Sequence, residues 1–315
     1  MFMQASNAPF ISVVMCTYNG EKFIDEQVQS ILQQTWQNME LIIVDDCSTD
    51  STWQKLQQWQ QQSTLVKLHR NAHNLGYNKN FEYAIQLAAG DLIALSDQDD
   101  IWLSEKLERL VPCFNDAQTV LAHSRSVRLE NGKLDFHKVS LQHQFSGNDT
   151  RRLLFFNQMM GHDAMFRRSL VQHIVPIPER MSYDWWIAVV ATCYGNIAAV
   201  PDFLVHHRIH GSNNFFSSGA ASKKKELDLD ETLRLFDTIP AMNERTHRHI
   251  HQLLQFLDVQ NSSAHPPFNC GFFRFLLKNR QVIFGHKRRL LPIVSHVKNA
   301  MRYAKTSFRG KGISI

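Results

Sequence analysis

The chain has 315 residues, 43% of them apolar and 20% charged. This globular balance excludes a disordered, collagen-like or coiled-coil protein and allows one large domain or two modest ones. The formal net charge of +5 conceals an asymmetry: residues 271–315 hold eleven Lys or Arg and no Asp or Glu, whereas the other 270 residues carry a net of −6.

In chain order, residues 11–16 (ISVVMC) form a β-branched apolar run, predicted as a buried strand. TYNG at 17–20 breaks it, and Ile24, Val28, Ile31 and Leu32 then recur at helical spacing. Residues 41–44 (LIIV) predict a second buried strand. It ends in DDCSTD, rich in N-cap residues, before a helix marked by Trp53, Leu56 and Trp59. A weaker strand at 65–68 and a loop at 71–78 precede a third helix carrying Phe81, Ala84, Ile85 and Ala88, which Gly90 stops. A fourth strand, 92–95 (LIAL), runs directly into SDQDD. This alternation predicts an α/β fold with right-handed crossovers and a parallel sheet. Ligands of such sheets bind beyond the carboxyl ends of the strands, so TYNG, DDCSTD and SDQDD should converge on one crevice. Farther on, 120–128 and 197–205 read as strands and 184–190 (DWWIAVV) as the start of a buried helix. Residues 223–258 read as charged helix with no chemical motif.

Asp97, Asp99 and Asp100 stand within four residues at a strand end. Carboxylates this close repel unless a cation or hydrogen bonds compensate, and oxygen ligands suit Mg2+ or Mn2+ bridging to phosphates. A solvated turn capping the next helix would use the same residues. Asp45 and Asp46, at another strand end, tilt the reading toward function.

Together, VVMCTYNGEKFI, LIIVDDCSTD, NLGYNKNFEYAI and ALSDQDDIW resemble, in order and spacing, the donor-binding half of an inverting family-2 glycosyltransferase. NLGYNKNFEYAI with SDQDDIW is most similar to the rhamnosyltransferase-like branch. The resemblance implies a GT-A, Rossmann-like, mostly parallel sheet flanked by helices, to which the charge and periodicity of the tail add a helical basic C-terminal extension. The expected division is a nucleotide-sugar half (1–110) and an acceptor half (111–220) of one domain, followed by a helical C-terminal region (221–315). The resemblance also assigns roles. Thr17 and Asp46 would contact the nucleotide base, Asp46 accepting from a ring N–H, with Tyr18 and Asn19 lining the same pocket. Asp97 would bind ribose or sugar hydroxyls, Asp99 the divalent cation, and Asp100 would support the site or hold the donor. Thr17 and Asn19 also suit a simple turn, and Asp45 and Asp46 a helix cap.

An inverting transfer needs a general base for the acceptor hydroxyl. The resemblance points to Asp184 in MSYDWW, with Asp163 in MGHD as its rival; as a bare residue, Asp184 would also serve as an N-cap. Trp185 and Trp186 read either as an acceptor wall or as core. HHRIHGSN at 206–213 resembles the family's Tyr-Arg-x-His-x-x-Asn segment, with His207 where a tyrosine is usual. It implies Arg208 on the diphosphate and His210 as a metal ligand or diphosphate contact.

In the basic tail, Phe272, Phe273, Leu276, Leu277, Ile283 and Phe284 share a helical face, and Pro292 interrupts. Val294, Val297, Met301, Ala304 and Phe308 then form a second stripe beside Lys298, Arg302, Lys305 and Arg309. Cations flanking an apolar stripe suit an in-plane helix on an anionic membrane surface, and equally a helix packed on the body with its basic face in water. Nucleic acid is not expected as a partner, since no recognised module is present.

Five scattered cysteines without a CxxC pair argue against disulfide scaffolds and zinc ribbons and fit a reducing cytoplasm. The N-terminus does not read as a signal peptide, and no 18-residue apolar run occurs. The expectation is an inverting, Mn2+- or Mg2+-dependent transferase at the cytoplasmic face of a bacterial inner membrane. It would move a sugar from dTDP-rhamnose or a UDP-hexose to a surface glycan, a lipopolysaccharide core or a lipid-linked precursor. The competing readings are an aspartyl phosphotransferase built on DQDDI and a peripheral membrane scaffold that retains an inactive transferase fold.

Overall fold

A computed structural model of the protein describes residues 8–136, 143–211, 227–286 and 291–309. Ser212 and Asn213 of the return segment, the start of the 223–258 helical reading and the basic residues Lys287, Arg288, Arg289 and Lys311 of the tail lie outside the described residues.

The first half alternates as expected: β1 (Ile11–Thr17), α1 (Ile24–Leu32), β2 (Met39–Asp45), α2 (Thr52–Gln62), β3 (Val66–Arg70), α3 (Tyr77–Leu87) and β4 (Leu92–Ser96). A two-residue β5 (Ile101–Trp102) and α4 (Lys106–Leu110) close it. The second half adds β6 (Thr119–Glu130), β7 (Lys133–Asp135), β8 (Ala164–Arg167), α5 (Val171–Ile174), α6 (Tyr183–Tyr194) and β9 (Asn196–Ile209). One sheet spans both halves in the order β3-β2-β1-β4-β8-β6-β9-β5, with β7 on β6. β3, β2, β1 and β4 pair in parallel, as do β6 and β9, while β8, β5 and β7 pair antiparallel with their neighbours.

The central strands are apolar on both faces because helices cover both. Ile11, Val13 and Met15 of β1 join Ile24, Val28 and Ile31 of α1 in one core. Val14 turns to the opposite core with Phe81, Ala84 and Ile85 of α3 and Ile187 to Ala191 of α6. Fully burying each of the Val, Ile, Met and Phe side chains among them is worth about 1.5–3 kcal/mol. Gly90 is required where it stands. A Cβ there would lie 2.5 Å from the Ser12 nitrogen and 2.8 Å from the Phe10 carbonyl oxygen.

The C-terminal region is helical: α7 (Leu229–Asp237), α8 (Glu244–Asn261), α9 (Cys270–Lys278), α10 (Arg280–Phe284) and α11 (Pro292–Tyr303). Asp228 and Glu231 close a capping box on α7, and the Asn243 side chain accepts from the Thr246 N–H at the start of α8. Phe272, Leu276, Ile283 and Phe284 are buried in the larger core, as their spacing predicts. Pro292 does not simply interrupt the tail. It opens α11, where its missing N–H removes no helical bond. The expected second stripe divides: Ala304 and Phe308 are buried on the body, whereas Val294 and Met301 are exposed. α11 instead buries His296, Ala300 and Tyr303, a face rotated from the purely apolar one. Among the described residues, no helix is long and apolar enough to cross a membrane.

Candidate functional site

Strand ends build the site. At the tip of β1, Thr17 donates its hydroxyl to Asp45 (3.1 Å), and its carbonyl accepts from the Asp46 N–H (2.8 Å). Asn19 (φ +51°) and Cys47 (φ +64°) turn the chain in the left-handed region at the two neighbouring tips, a conformation an L residue adopts at some cost. The Asn19 amide oxygen accepts from the Thr49 N–H (2.8 Å), and Gln98 clips the Tyr18 backbone through both its amide atoms (2.9 and 3.1 Å). The tips of β1, β2 and β4 are thus tied into one rim. Tyr18 is exposed on it; Thr17 and Asp46 lie below the surface.

The two β2 carboxylates do different things. Asp45 is fully buried, paired with Arg70 (3.2 Å) and hydrogen-bonded by Thr17 and Ser48. Asp46 accepts from the Asn71 amide and the Leu75 N–H on Oδ1 (both 2.8 Å) and from the Gly76 N–H on Oδ2 (2.9 Å). Its carboxylate therefore already fastens the 71–76 loop. Of roughly four lone-pair sites on a carboxylate, three are used.

The acidic cluster at the end of β4 meets the return strand β9. β5 pairs with β9, Ile101 opposite His206, which delivers Arg208 and His210 to the aspartates. The Arg208 N–H donates to Asp100 (3.0 Å), its Nε donates to the Asp99 carbonyl (3.0 Å), and its guanidinium also pairs with Glu26 and lies over Phe23. His210 Nε2 lies 2.8 Å from Asp99 Oδ2, with its ring stacked on Phe23.

Beneath them lies a buried charge network that sequence reasoning missed. His162, on the turn before β8, places Nδ1 3.0 Å from Asp97 and 3.2 Å from Asp100. Its carbonyl accepts from Lys106 Nζ (2.5 Å), a fully buried ammonium seated over the Trp102 ring. Burial alone would lower the His162 pKa, but the charges of Asp100, Asp163 and Asp97 push it up to about 10. Burial pushes Lys106 down to about 7 against the pull of Asp163, Asp100 and Asp97. Burial raises Asp100 to about 8, and burial with the Asp97 charge raises Asp99. Asp97 feels burial too, yet the His162 hydrogen bond and charge hold it below the ordinary carboxylate range. His207 packs against the His162 ring, and burial and the His162 charge push it down to about 4.

Asp184 opens α6, where its Oδ1 accepts from the Ser182 hydroxyl and the Trp185 N–H. The loop before it is pinned from α3: the Asn78 amide donates to the carbonyls of Glu179 (3.1 Å) and Met181 (2.6 Å), and Glu82 accepts from the Ile177 N–H. Burial raises the Asp184 pKa, opposed by its two hydrogen bonds, and the charges of Asp97 and His162 reach it. Cys16 lies close enough to feel both Asp46 and Asp97, and Tyr183 feels Asp97 and Asp184. Hydrogen bonds and ion pairs thus tie Tyr18 and Asn19 to the neighbouring strand ends and bring Asp97, Asp99 and Asp100 together with Arg208, His210 and His162. The rival base, Asp163, is buried under the network beside Ser124 and His162. Trp185 and Trp186 both belong with the core, their indole N–H groups donating to the Leu153 and Ile174 carbonyls.

Two sets of side chains could hold a divalent cation. Asp99 and His210 form one. Asp100, His162 and His207 form another, with ligand atoms within 4.8 Å of one another, and the buried Asp100 Oδ2 and His162 Nε2 have no hydrogen-bond partner among the described residues. Carboxylate oxygen with imidazole nitrogen is a donor set that Mn2+ accepts readily and Mg2+ tolerates.

This chain belongs to glycosyl transferase family 2, whose family model matches residues 12–175. An "uncharacterized glycosyltransferase" of Haemophilus influenzae is 29% identical over 223 residues, 65% of this chain and 67% of that protein. The Escherichia coli UDP-Glc:alpha-D-GlcNAc-diphosphoundecaprenol beta-1,3-glucosyltransferase WfgD is 37% identical over 98 residues, 31% of this chain and 38% of its own. Among solved structures, S. aureus TarS 1-349 in complex with UDP-GlcNAc matches with a TM-score of 0.61 at 19% identity, covering 92% of this chain and 80% of that one. The mannosyltransferase PcManGT from Pyrobaculum calidifontis, in complex with GDP-Man and Mn2+, matches at 0.57 and 18% identity, covering 79% and 70%. This chain spans 43% of a longer TarS chain. At these identities the structural likeness establishes the fold, the GT-A architecture that the motifs implied.

Proposed function

We propose that the protein is an inverting, metal-dependent glycosyltransferase that moves a sugar from a nucleotide-diphosphate donor to a hydroxyl of a bacterial surface glycan or its lipid-linked precursor. The observation that carries this reading is the meeting of Asp99 and Asp100 with Arg208 and His210 across the β4 and β9 ends, beside Asp97, with Asp184 close enough for the charges of Asp97 and His162 to reach it. In this reading residues 1–110 hold the donor and 111–220 the acceptor. Thr17, Tyr18 and Asn19 line the base pocket, and Asp46 uses its fourth acceptor site for a ring N–H. Asp97 holds ribose or sugar hydroxyls, and Asp100 anchors the Arg208 backbone. Arg208 exchanges the surface carboxylate of Glu26 for the donor diphosphate. Asp99 and His210 would hold Mn2+ or Mg2+, which when bound neutralises the leaving diphosphate. The acceptor oxygen attacks the anomeric carbon as the bond to the diphosphate breaks, and its proton passes to Asp184.

The donor is sought among dTDP-rhamnose, UDP-glucose, UDP-GlcNAc and GDP-mannose; similarity to the rhamnosyltransferase-like branch puts dTDP-rhamnose first. A thermal-shift screen with Mn2+, repeated in EDTA, is the test. A ligand at a hundred times its Kd adds about 2.7 kcal/mol, roughly 4 °C for a chain of this size. One donor should shift the melt in Mn2+ alone, and NMR should show transfer with inverted anomeric configuration. Absence of a shift with every nucleotide sugar overturns the reading.

The reading extends to an anionic membrane surface at the cytoplasmic face of the inner membrane. Leu291, Ile293, Val294 and Met301 are 68%, 68%, 61% and 46% exposed around α11, beside the exposed cations Lys298, Arg302 and Lys305. Each such cation near anionic lipid is worth about 1 kcal/mol. Co-sedimentation with phosphatidylglycerol vesicles, lost on Ile293→Ser with Val294→Ser and absent with phosphatidylcholine, is the expected outcome. Equal binding by the double variant refutes it.

A further inference from the structure

The charged helices of the C-terminal region border a cavity, although their sequence reads as having no chemical motif. Arg245, Arg248, His249 and Gln252 recur at i, i+3, i+4 and i+7, so they share one face of α8. That face borders a cavity of about 400 Å³ whose other walls are Arg151, on the 3-10 turn at Thr150–Leu153, and Asn279, between α9 and α10. None of these elements supplies a residue to the acidic crevice.

The lining is cationic, and one of its arginines is held in place. Arg151 is buried, and Asp149 orients its guanidinium by accepting from Nε (2.8 Å) and Nη2 (2.6 Å). Nη1 makes no hydrogen bond among the described residues. Arg245 has no ion pair among them, and Arg248 has only a 4.0 Å approach to Glu244, both side chains being largely exposed. Three guanidinium groups thus stand against two carboxylates, Asp149 engaged by Arg151 and Glu244 only at 4.0 Å from Arg248. His249 is 5% exposed, and its Nε2 is buried without a hydrogen-bond partner among the described residues. A buried orphan nitrogen costs stability unless something fills its site. Burial, with the charges of Arg151 and Arg245, pushes the His249 imidazole down to about 4, so it stays neutral and both arginines act on the same point.

We propose that this cavity is a binding site for a phosphate-bearing anion, held by Arg151, Arg245 and Arg248, with His249 Nε2–H donating to one of its oxygens. Planar guanidinium forks match phosphate oxygens, and a cavity lined by cations rather than apolar groups selects a charged ligand. The volume accommodates a diphosphate, which two kinds of molecule present: a free soluble phosphate or the headgroup of a prenyl-diphosphate lipid. The site stands independently of the sugar-transfer reading.

Calorimetric titration of the full chain with inorganic pyrophosphate and with farnesyl diphosphate, both in EDTA to suppress metal-bridged binding in the crevice, tests it. Arg245→Ala and Arg248→Ala remove exposed side chains and should leave the fold intact. Each should weaken binding roughly tenfold, the scale of one charge-assisted hydrogen bond. His249→Phe should weaken it further without disturbing the packing on Phe275. Tighter binding of farnesyl diphosphate than of pyrophosphate by tenfold or more supports a lipid-borne ligand; equal affinities support the free anion. The proposal falls if millimolar pyrophosphate gives no heat, if the Arg245→Ala, Arg248→Ala double variant binds as the parent does, or if Asp99→Asn abolishes the binding.

Discussion

Replacing Asp184 by Asn separates chemistry from architecture at the proposed base. The Asn side chain keeps an oxygen where Oδ1 accepts from Ser182 and Trp185, so both bonds persist in neutral form. Exchanging two charge-assisted bonds for neutral ones costs about 1 kcal/mol each, and release from burying a charge offsets part of that. With an unfolding entropy of about 2.1 cal/mol/K per residue, the melt should move by no more than roughly 3 °C. Loss of a general base should lower kcat by about 10²- to 10⁴-fold, or 2.7–5.5 kcal/mol of barrier, with little change in the donor KM. The pH profile adds a second readout. Burial raises the Asp184 pKa, so the acid limb of kcat/KM should lie above the ordinary carboxylate range, activity falling as pH drops through it. Ser182→Ala removes a bond that holds this pKa down and should move the limb to higher pH. Initial rates of nucleoside-diphosphate release across pH, with parallel melts, measure all of this. An Asp184→Asn enzyme that keeps more than a tenth of kcat, or an unchanged acid limb, refutes the assignment.

Two further predictions concern stability. His162 has a folded pKa of about 10, above its ordinary value of 6.5, so its positive charge contributes stability fully present below about pH 6.5 and lost as pH rises to about 10. Urea unfolding of His162→Gln against the parent should therefore show a larger deficit at about pH 6 than at about pH 10; equal deficits would remove the imidazolium from the account. Gly90→Ala forces a Cβ against β1 backbone and should destabilise by about 1–3 kcal/mol or more, read by thermal unfolding; a neutral result would mean that the β1 approach is loose.

The buried network also bears on how the crevice tolerates its own acidity. Asp97, Asp99 and Asp100 lie within four residues, and an uncompensated cluster of this kind resists folding. Lys106 and His162 supply positive charge from below, leaving Asp99 and His210 as the outer pair. Their placement implies that the cluster holds its geometry through the protein's own cations.

What the sequence determined by itself is the local alternation. The apolar runs at 11–16, 41–44 and 92–95 fall within β1, β2 and β4, because a strand buried on both faces is apolar at nearly every position. Since parallel strands deliver their carboxyl ends to one edge, TYNG, DDCSTD and SDQDD had to meet. Tertiary structure alone decided the rest. Nothing in KLERL marks Lys106 as buried, and His162 reaches Asp97 from 65 residues away through the β4–β8 pairing. The tail stripe turned because α11 rotates to seat Tyr303 and Ala300 in the core, leaving Val294 and Met301 outside. The arginine-lined cavity was invisible for the same reason. Arg151 joins Arg245 and Arg248 only where the 150–153 turn meets α8, and no periodicity within one segment encodes a contact between two.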